Sequence, residues 1–316
     1  MKTVIDMSTK VTLDGQIRDE MNKKMMFDEK QNDIKYGGEK LNGYINIFKQ
    51  CEEFLHDEML KYPTAVIYDI SALEQPYFDT VGYTNFSELF MIYPLSPEMK
   101  MNQIQDCFIN PEPCEIDYYE HFNKKYNSEQ DLGKYEQSSE ISVISDFDVV
   151  VTLPGGNKLN TLCINKAKHI IREYGTKAIF KIHPMIVDRE IKQIIDSLPL
   201  CATIIPGNEP LYEYIKKVDK VYTTHSSESA FLAACMGKEI EPVDTFQSTK
   251  IETFSHINHF LFYSENKRDV INKILNNYRS GVIHPILDEN WKEKITLYLE
   301  YLHTKRSMVK NFFIGG

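Results

Sequence analysis

The second half of the chain alternates short apolar runs with amphipathic stretches at a nearly constant spacing. Phe147–Leu153, Lys177–Ile182, Ala202–Ile205, Lys220–Thr224 and Glu239–Val243 are rich in Val, Ile and Phe. Runs of this length and character read as strands buried on both faces. Between them, Leu159–Glu173 places Leu162, Cys163, Ala167, Ile170 and Ile171 on one helical face, and Gly175 closes it. Asp188–Leu198, Leu211–Val218 and Glu228–Met236 are the other helices of the series, the last ended by Gly237. Strand and helix in strict alternation predict βαβ units and a parallel sheet covered on both faces.

The first half is less regular. Thr3–Met7, Thr64–Ile70 and Phe90–Tyr93 are strand candidates, the last stopped by Pro94. A highly charged segment runs from about Gln16 to Lys61. In its second part Leu41, Tyr44, Ile45, Phe48, Cys51, Phe54 and Leu55 share a helical face. From Asn110 to Glu140 the chain is poor in aliphatics and holds Pro111 and Pro113, an irregular connection with room for a short helix. Lys267–Tyr278 and Glu289–Leu302 are terminal helices, followed by a basic, aromatic tail from His303 to Phe313. The expected organisation is a first α/β domain over residues 1–140, a Rossmann-like domain over 141–282, and a C-terminal helix and tail over 283–316. The two α/β halves are expected to face a cleft, with the C-terminal helices packing last.

Composition narrows the class. A chain of 316 residues with 42% apolar residues, 19 Tyr and 17 Phe has enough material for real cores. The formal charge of −10 argues against bulk electrostatic capture of nucleic acid, though not against a local basic groove. Lys23, Lys24, Lys30 and Lys35 cluster in the N-terminal segment, interleaved with Asp28, Glu29 and Asp33, so they read equally as a groove or a solvated helix face. None of the six cysteines forms a Cys-x-x-Cys pair, which fits buried, reduced thiols. The first residues are too short an apolar run for a signal peptide, and no stretch approaches the ~20 apolar residues of a membrane span. A cytoplasmic protein, soluble or membrane-peripheral, is expected.

Candidate chemistry gathers at strand ends. His183-Pro184 follows one predicted strand; the proline stops it and holds the imidazole at its carboxyl end. About forty residues on, His225-Ser226-Ser227-Glu228 follows another strand, on the next βαβ unit and expected to be adjacent in the same sheet, and opens a helix. Unpaired amides and hydroxyls at such a helix start suit an anion. A helix cap with Glu228 as capping-box partner is the purely structural reading of the same residues. Pro154-Gly155-Gly156-Asn157 and Pro206-Gly207-Asn208-Glu209 are turns after strands. Their glycines permit a ligand close to the backbone, or serve simply as tight turns. Gly155 to Asn157 is neither a Walker loop nor a dinucleotide fingerprint.

Lys-Ile-His-Pro and, downstream, Thr-His-Ser-Ser-Glu-Ser-Ala-Phe-Leu-Ala-Ala-Cys-Met-Gly-Lys-Glu-Ile together resemble the nucleotide-binding half of GT-B glycosyltransferases. The resemblance spans Phe147 to Val243. It is greatest to the CMP-sugar users: bacterial sialyltransferases, polysialyltransferases and capsular Kdo transferases. It implies a GT-B-like fold of two Rossmann-like domains and a metal-independent enzyme moving a sugar from a nucleotide sugar, with a CMP-sugar favoured and a UDP-sugar the alternative, to an acceptor hydroxyl. His183, with Pro184, would contact the donor phosphate or cytidine, and Ser226 and Ser227, with Glu228, would hold the phosphate. Gly155, Gly156, Asn157, Gly207 and Asn208 would line the donor. Glu239 stands where proline is usual. The family's acidic-acidic-Gly base motif is matched only by Leu13-Asp14-Gly15, so Asp14 is the expected base, with Asp69 and Asp79 in reserve. A surface glycan of capsule or lipopolysaccharide type is the expected acceptor. The Lys-, Asn- and Ile-rich composition also resembles large tailed phages, whose glycosyltransferases add sugars, pentoses such as arabinose among them, to 5-hydroxymethylcytosine in DNA. A catalytically inactive GT-B-like binding subunit and a sugar-nucleotide epimerase are the remaining readings.

Overall fold

The structure is a computed structural model. It describes residues 2–4, 65–67, 78–83, 87–94, 97–128, 146–154, 164–183, 203–206, 209–247 and 254–314, with further helical positions between 47 and 58. Among these the elements run β1 (Lys2–Val4), β2 (Ala65–Ile67), β3 (Phe78–Tyr83), β4 (Phe90–Pro94), α1 (Pro97–Ile109), α2 (Tyr118–Ser128) and β5 (Val149–Thr152). They continue with α3 (Ile164–Tyr174), β6 (Ala178–Lys181), β7 (Thr203–Ile205), α4 (Leu211–Lys216), β8 (Lys220–Thr223), α5 (Glu228–Cys235) and β9 (Glu239–Pro242). The last are α6 (Ser255–Tyr263), α7 (Lys267–Asn276), β10 (Val282–Ile283) and α8 (Trp291–Ile314). Two units emerge, Met1–Pro113 with Lys273–Gly316, and Cys114–Asn272.

The second unit is α/β. Its five strands are all parallel, in the order β7-β6-β5-β8-β9. Counted from β5 this is 3-2-1-4-5, the order of doubly wound sheets. Val149, Val150 and Val151 are all buried because β5 lies in the middle and is covered on both faces. Side chains alternate across the sheet. Val149, Val151 and Leu153 pack with Ala178, Phe180 and Ile182 against Ala167, Ile170 and Ile171 of α3. Thr152 points to the opposite face, where its hydroxyl meets Ser229 of α5. Every residue of α5 from Ser229 to Cys235 is buried, as expected of a helix with an apolar character all round. Its outer side is covered by α2, through Phe122 against Phe231 and an Asn123 amide donating to the Cys235 carbonyl, and by Phe254 just before α6.

That packing explains where the unit begins. Residues 110–140 read as a connection, yet α2 lies within them and belongs to the parallel-sheet unit through its buried face of Tyr118, Phe122 and Tyr126. The contacts divide the chain at 113/114 and 272/273, where the sequence pattern suggested 140/141 and 282/283. The predicted helix over 188–198 lies outside the described residues.

The first unit pairs its strands differently. A second Rossmann-like domain was expected here, but the described pairings, β1–β2 and β10–β4–β3, are all antiparallel. Its core joins Phe90 and Ile92 of β4 to Trp291, Ile295, Tyr298, Leu299 and Leu302 of α8, with Cys51 and Leu55 from the helical positions near residue 50. These are the inner faces that the spacing predicted. Helix α8 does not stop at Leu302; it runs on to Ile314, so the segment expected as a tail is helical. No helix among the described residues is long and apolar enough to cross a membrane. Cys51, Cys107 and Cys235 are buried free thiols as expected, whereas Cys114 is exposed.

Lys100 of α1 is an unusual member of this core. It is 3% exposed and its Nζ donates to the carbonyls of Ser280 (2.7 Å) and Ile92 (3.3 Å). Burial pulls its pKa down to about 7. Between that value and the ordinary 10.5 the folded chain holds fewer protons on this amine than the unfolded chain, so stability rises with pH across that window. Lys100→Met removes the effect. In urea titrations at pH 7 and pH 9, the wild type is expected to gain about 2–3 kcal/mol more than the variant on moving to the higher pH. An equal change in both proteins would refute this.

Candidate functional site

Strand order places the site. From β5 the chain builds outward through β6 and β7, then returns to lay β8 on the other side of β5. Helices α3 and α5, which follow β5 and β8, therefore lie on opposite faces, and the carboxyl ends of these two strands are the topological switch point, the position where open α/β sheets bind ligands. At these two ends stands a cluster of hydroxyls. Thr152 and Thr223 are 2.6 Å apart, Thr223 and Ser229 2.7 Å, Thr152 and Ser229 3.2 Å, and Ser227 and Ser229 2.6 Å. Thr152, Thr223 and Ser229 are buried, so each satisfies the others in place of water.

The chain leaves β8 through a tight turn, with the Ser227 N–H donating to the Thr224 carbonyl (3.1 Å). Ser227 is the N-cap of α5; its extended φ/ψ stops the helix there, and its Oγ accepts from the Ser229 N–H (3.2 Å). The third helical position is Ala230, so Glu228 is not a capping-box partner. Ser226, half-buried, sits at the middle of the turn. Among the described residues neither its N–H nor its hydroxyl has a hydrogen-bond partner.

Two side chains hold this turn. The Asp244 carboxylate, just past β9, accepts from the His225 N–H (3.0 and 3.2 Å) and from His225 Nδ1 (2.7 Å). A carboxylate only accepts, so Nδ1 carries the hydrogen of this bond. The other is Asn258 of α6, fully buried, whose Nδ2 donates to the carbonyls of His225 (2.7 Å) and Ser227 (2.8 Å). Around the His225 ring lie Phe262 (centroids 4.9 Å), Phe246 (5.2 Å) and His259 (5.9 Å), and Phe246 stacks on His259 at 4.2 Å. Burial, then the neighbouring His225, hold His259 below the usual histidine range. Among the described residues no three of His, Cys, Asp and Glu are grouped to hold a metal ion.

His183 stands two residues beyond β6, half-buried. Strands β6 and β8 are not neighbours, as the two motifs suggested; β5 lies between them. The motifs are thus two strand spacings apart, roughly 10 Å, at the same edge of the sheet. Beside His183, the buried Lys181 donates to the carbonyls of Pro206 (2.6 Å) and Ile182 (3.1 Å) and ties the loop after β7 to the end of β6. Burial pulls Lys181 down to about 8, with Glu209 opposing. Glu209 in turn accepts from the Tyr214 hydroxyl.

Of the residues chosen from sequence, His183, Ser226, Ser227 and Glu228 stand at the carboxyl edge of the parallel sheet. Asp14, Asp69, Gly155, Gly156, Asn157, Pro184, Gly207 and Asn208 lie outside the described residues, as do Lys23, Lys24, Lys30 and Lys35. Asp79 lies in β3 of the other unit. Sequence reasoning gave no role to His225, Asp244, Asn258, Thr152, Thr223 or Ser229. A signal for Asp244 was present, a lone acid just after a predicted strand; for Asn258 there was none, since α6 was not recognised. Compared with protein families and with curated proteins, the chain matches none.

Proposed function

We propose that the second unit binds a nucleotide sugar, and that the protein is a GT-B-like glycosyltransferase moving the sugar to an acceptor hydroxyl, with a CMP-linked donor favoured. The observation that carries this reading is the Thr224–Ser227 turn: held from behind, placed at the switch point of a 3-2-1-4-5 sheet, and presenting an unpartnered N–H and hydroxyl at Ser226. Donors fixed in this way meet a phosphate without reorganising, and they stabilise most the form with most charge. As the glycosidic bond breaks, the nucleotide phosphate gains negative charge, so Ser226, Ser227 and the start of α5 favour departure. His183, two strands along the same edge, is suited to donate to the same phosphate or to the base. No step here calls for a metal ion. The acceptor base is a carboxylate, with Asp14 the sequence choice.

The test is thermal unfolding in the presence of CMP, UDP and ADP. Ligand at 100 times its dissociation constant stabilises by about 2.7 kcal/mol, a shift of several degrees. CMP is expected to raise the midpoint and the other two to act weakly; no shift with any nucleotide at millimolar concentration overturns the reading. Incubation with CMP-sugars and either glycan acceptors or hydroxymethylated DNA, read by mass shift, then identifies the acceptor.

A further inference from the structure

We infer that Asn258 is the positioning residue of the phosphate site, acting through the backbone it holds. The inference rests on the phosphate reading of the turn. The peptide bonds are trans, so within each peptide unit the carbonyl and the following N–H point in opposite directions. Asn258 Nδ2 takes both the His225 and the Ser227 carbonyls at 2.7 and 2.8 Å. Both carbonyls therefore converge on one buried atom, and the N–H groups of Ser226 and Glu228 are turned to the opposite side. One amide nitrogen thereby aims two backbone donors away from α6, one of them the unpartnered Ser226 N–H.

Nothing else described does this. Asp244 holds the His225 N–H and ring, and the Ser227 side chain caps Ser229, but neither touches these two carbonyls. The Ser227 carbonyl also accepts from the Ala230 N–H (3.2 Å), which is the ordinary start of a helix; the His225 carbonyl lies outside the helix and depends on Asn258. An aspartate at 258 has no donor and would face both carbonyls with like partial charge, and a serine is too short to reach both.

The experiment compares Asn258→Asp and Asn258→Ser with wild type for binding of CMP and of cytidine by calorimetry. A residue that merely supports the fold lowers both affinities alike. A residue that aims phosphate donors lowers only the part of the affinity due to phosphate, so the preference for CMP over cytidine is expected to fall at least tenfold while cytidine affinity holds. A preference unchanged in folded variants overturns the inference. Equal affinity of the wild type for CMP and cytidine overturns the phosphate reading itself and the inference with it. A measurement on the wild type keeps the test independent of how the variants fold: the Ser226 and Glu228 amide resonances should move on adding CMP and stay in place with cytidine. Bound CMP with both amides unmoved counts against the proposal.

Discussion

Gly281→Ala is expected to destabilise the first unit by about 3 kcal/mol. Gly281 ends the short Tyr278–Ser280 turn with φ +66°, a left-handed conformation that an alanine adopts at a cost of roughly 1–2 kcal/mol. Space adds a second term. A methyl group there would stand 2.8 Å from the Ile92 carbonyl oxygen and 2.8 Å from the Tyr298 ring. The backbone cannot retreat, since the Ile92 N–H is bonded to the Gly281 carbonyl at 2.8 Å. Nor can the ring, which is fully buried between β4 and α8. Overpacking of this sort typically costs 1–3 kcal/mol. Gly175 supplies the control: φ +59°, but no atom within 4 Å of the added carbon, so Gly175→Ala should lose only the conformational part. Trp291, the single tryptophan, lies in the same core as Tyr298 and reports on that unit by fluorescence in urea, while far-UV circular dichroism follows the second unit, which holds Gly175. Equal losses in the two variants would show that the contact with Ile92 and Tyr298 is relieved without cost.

What could be read in advance follows from how much of the folding signal is local. The inner parallel strands were visible because a strand buried on both faces is largely apolar, the edge strands β7 and β9 because they keep the strand–helix alternation, and the helices between them because one face must be apolar at helical spacing. The core faces of α8 and of the helix near residue 50 were visible for the second reason. Helix α6 was not, because Ser255-His-Ile-Asn-His-Phe-Leu-Phe-Tyr is rich in aromatic and polar residues of modest helix propensity, and its buried positions include His256 and Asn258. Its inner face mixes the buried Ile257 and Leu261 with polar groups, one of which holds a turn, so hydropathy marks it weakly. Strand β3 was missed for a related reason: Phe-Asp-Thr-Val-Gly-Tyr carries an acid and a glycine that weaken a strand pattern.

The candidate site divides along the same line. A histidine and two serines after predicted strands were legible, since strand ends of a parallel sheet are where ligands bind. Their spacing was not. Their place on consecutive βαβ units suggested adjacent strands, but after β7 the chain crosses back over β5, and that crossing is a tertiary event with no local signature. The residues behind the turn were hidden in the same way. Thr152 meets Thr223 across 71 positions, and Asn258 reaches His225 across 33. A hydroxyl or amide used to satisfy another buried group looks, in sequence, like any other polar residue.

Asp244→Ala is expected to destabilise the second unit by about 3–5 kcal/mol. The carboxylate is 7% exposed and the His225 side chain 4%, so water replaces little of what is lost. Removing it strands a backbone N–H and an imidazole N–H away from solvent, and the loss of one member of a buried pair is charged to the member left behind. Asp244→Asn is milder. Its amide oxygen, placed where Oδ1 stands, can still accept both hydrogens, whereas its nitrogen replaces Oδ2 and faces the His225 N–H donor to donor, so a smaller loss of about 1–3 kcal/mol is expected. The order alanine below asparagine below wild type, read by thermal unfolding, checks the assignment; an alanine variant within 0.5 kcal/mol of wild type would show that the turn is held by Asn258 alone. The same series probes the ligand. If the turn binds phosphate, stabilisation by CMP should fall in the asparagine variant while that protein remains folded, because the His225 N–H and ring fix one end of the turn that Asn258 fixes from beneath.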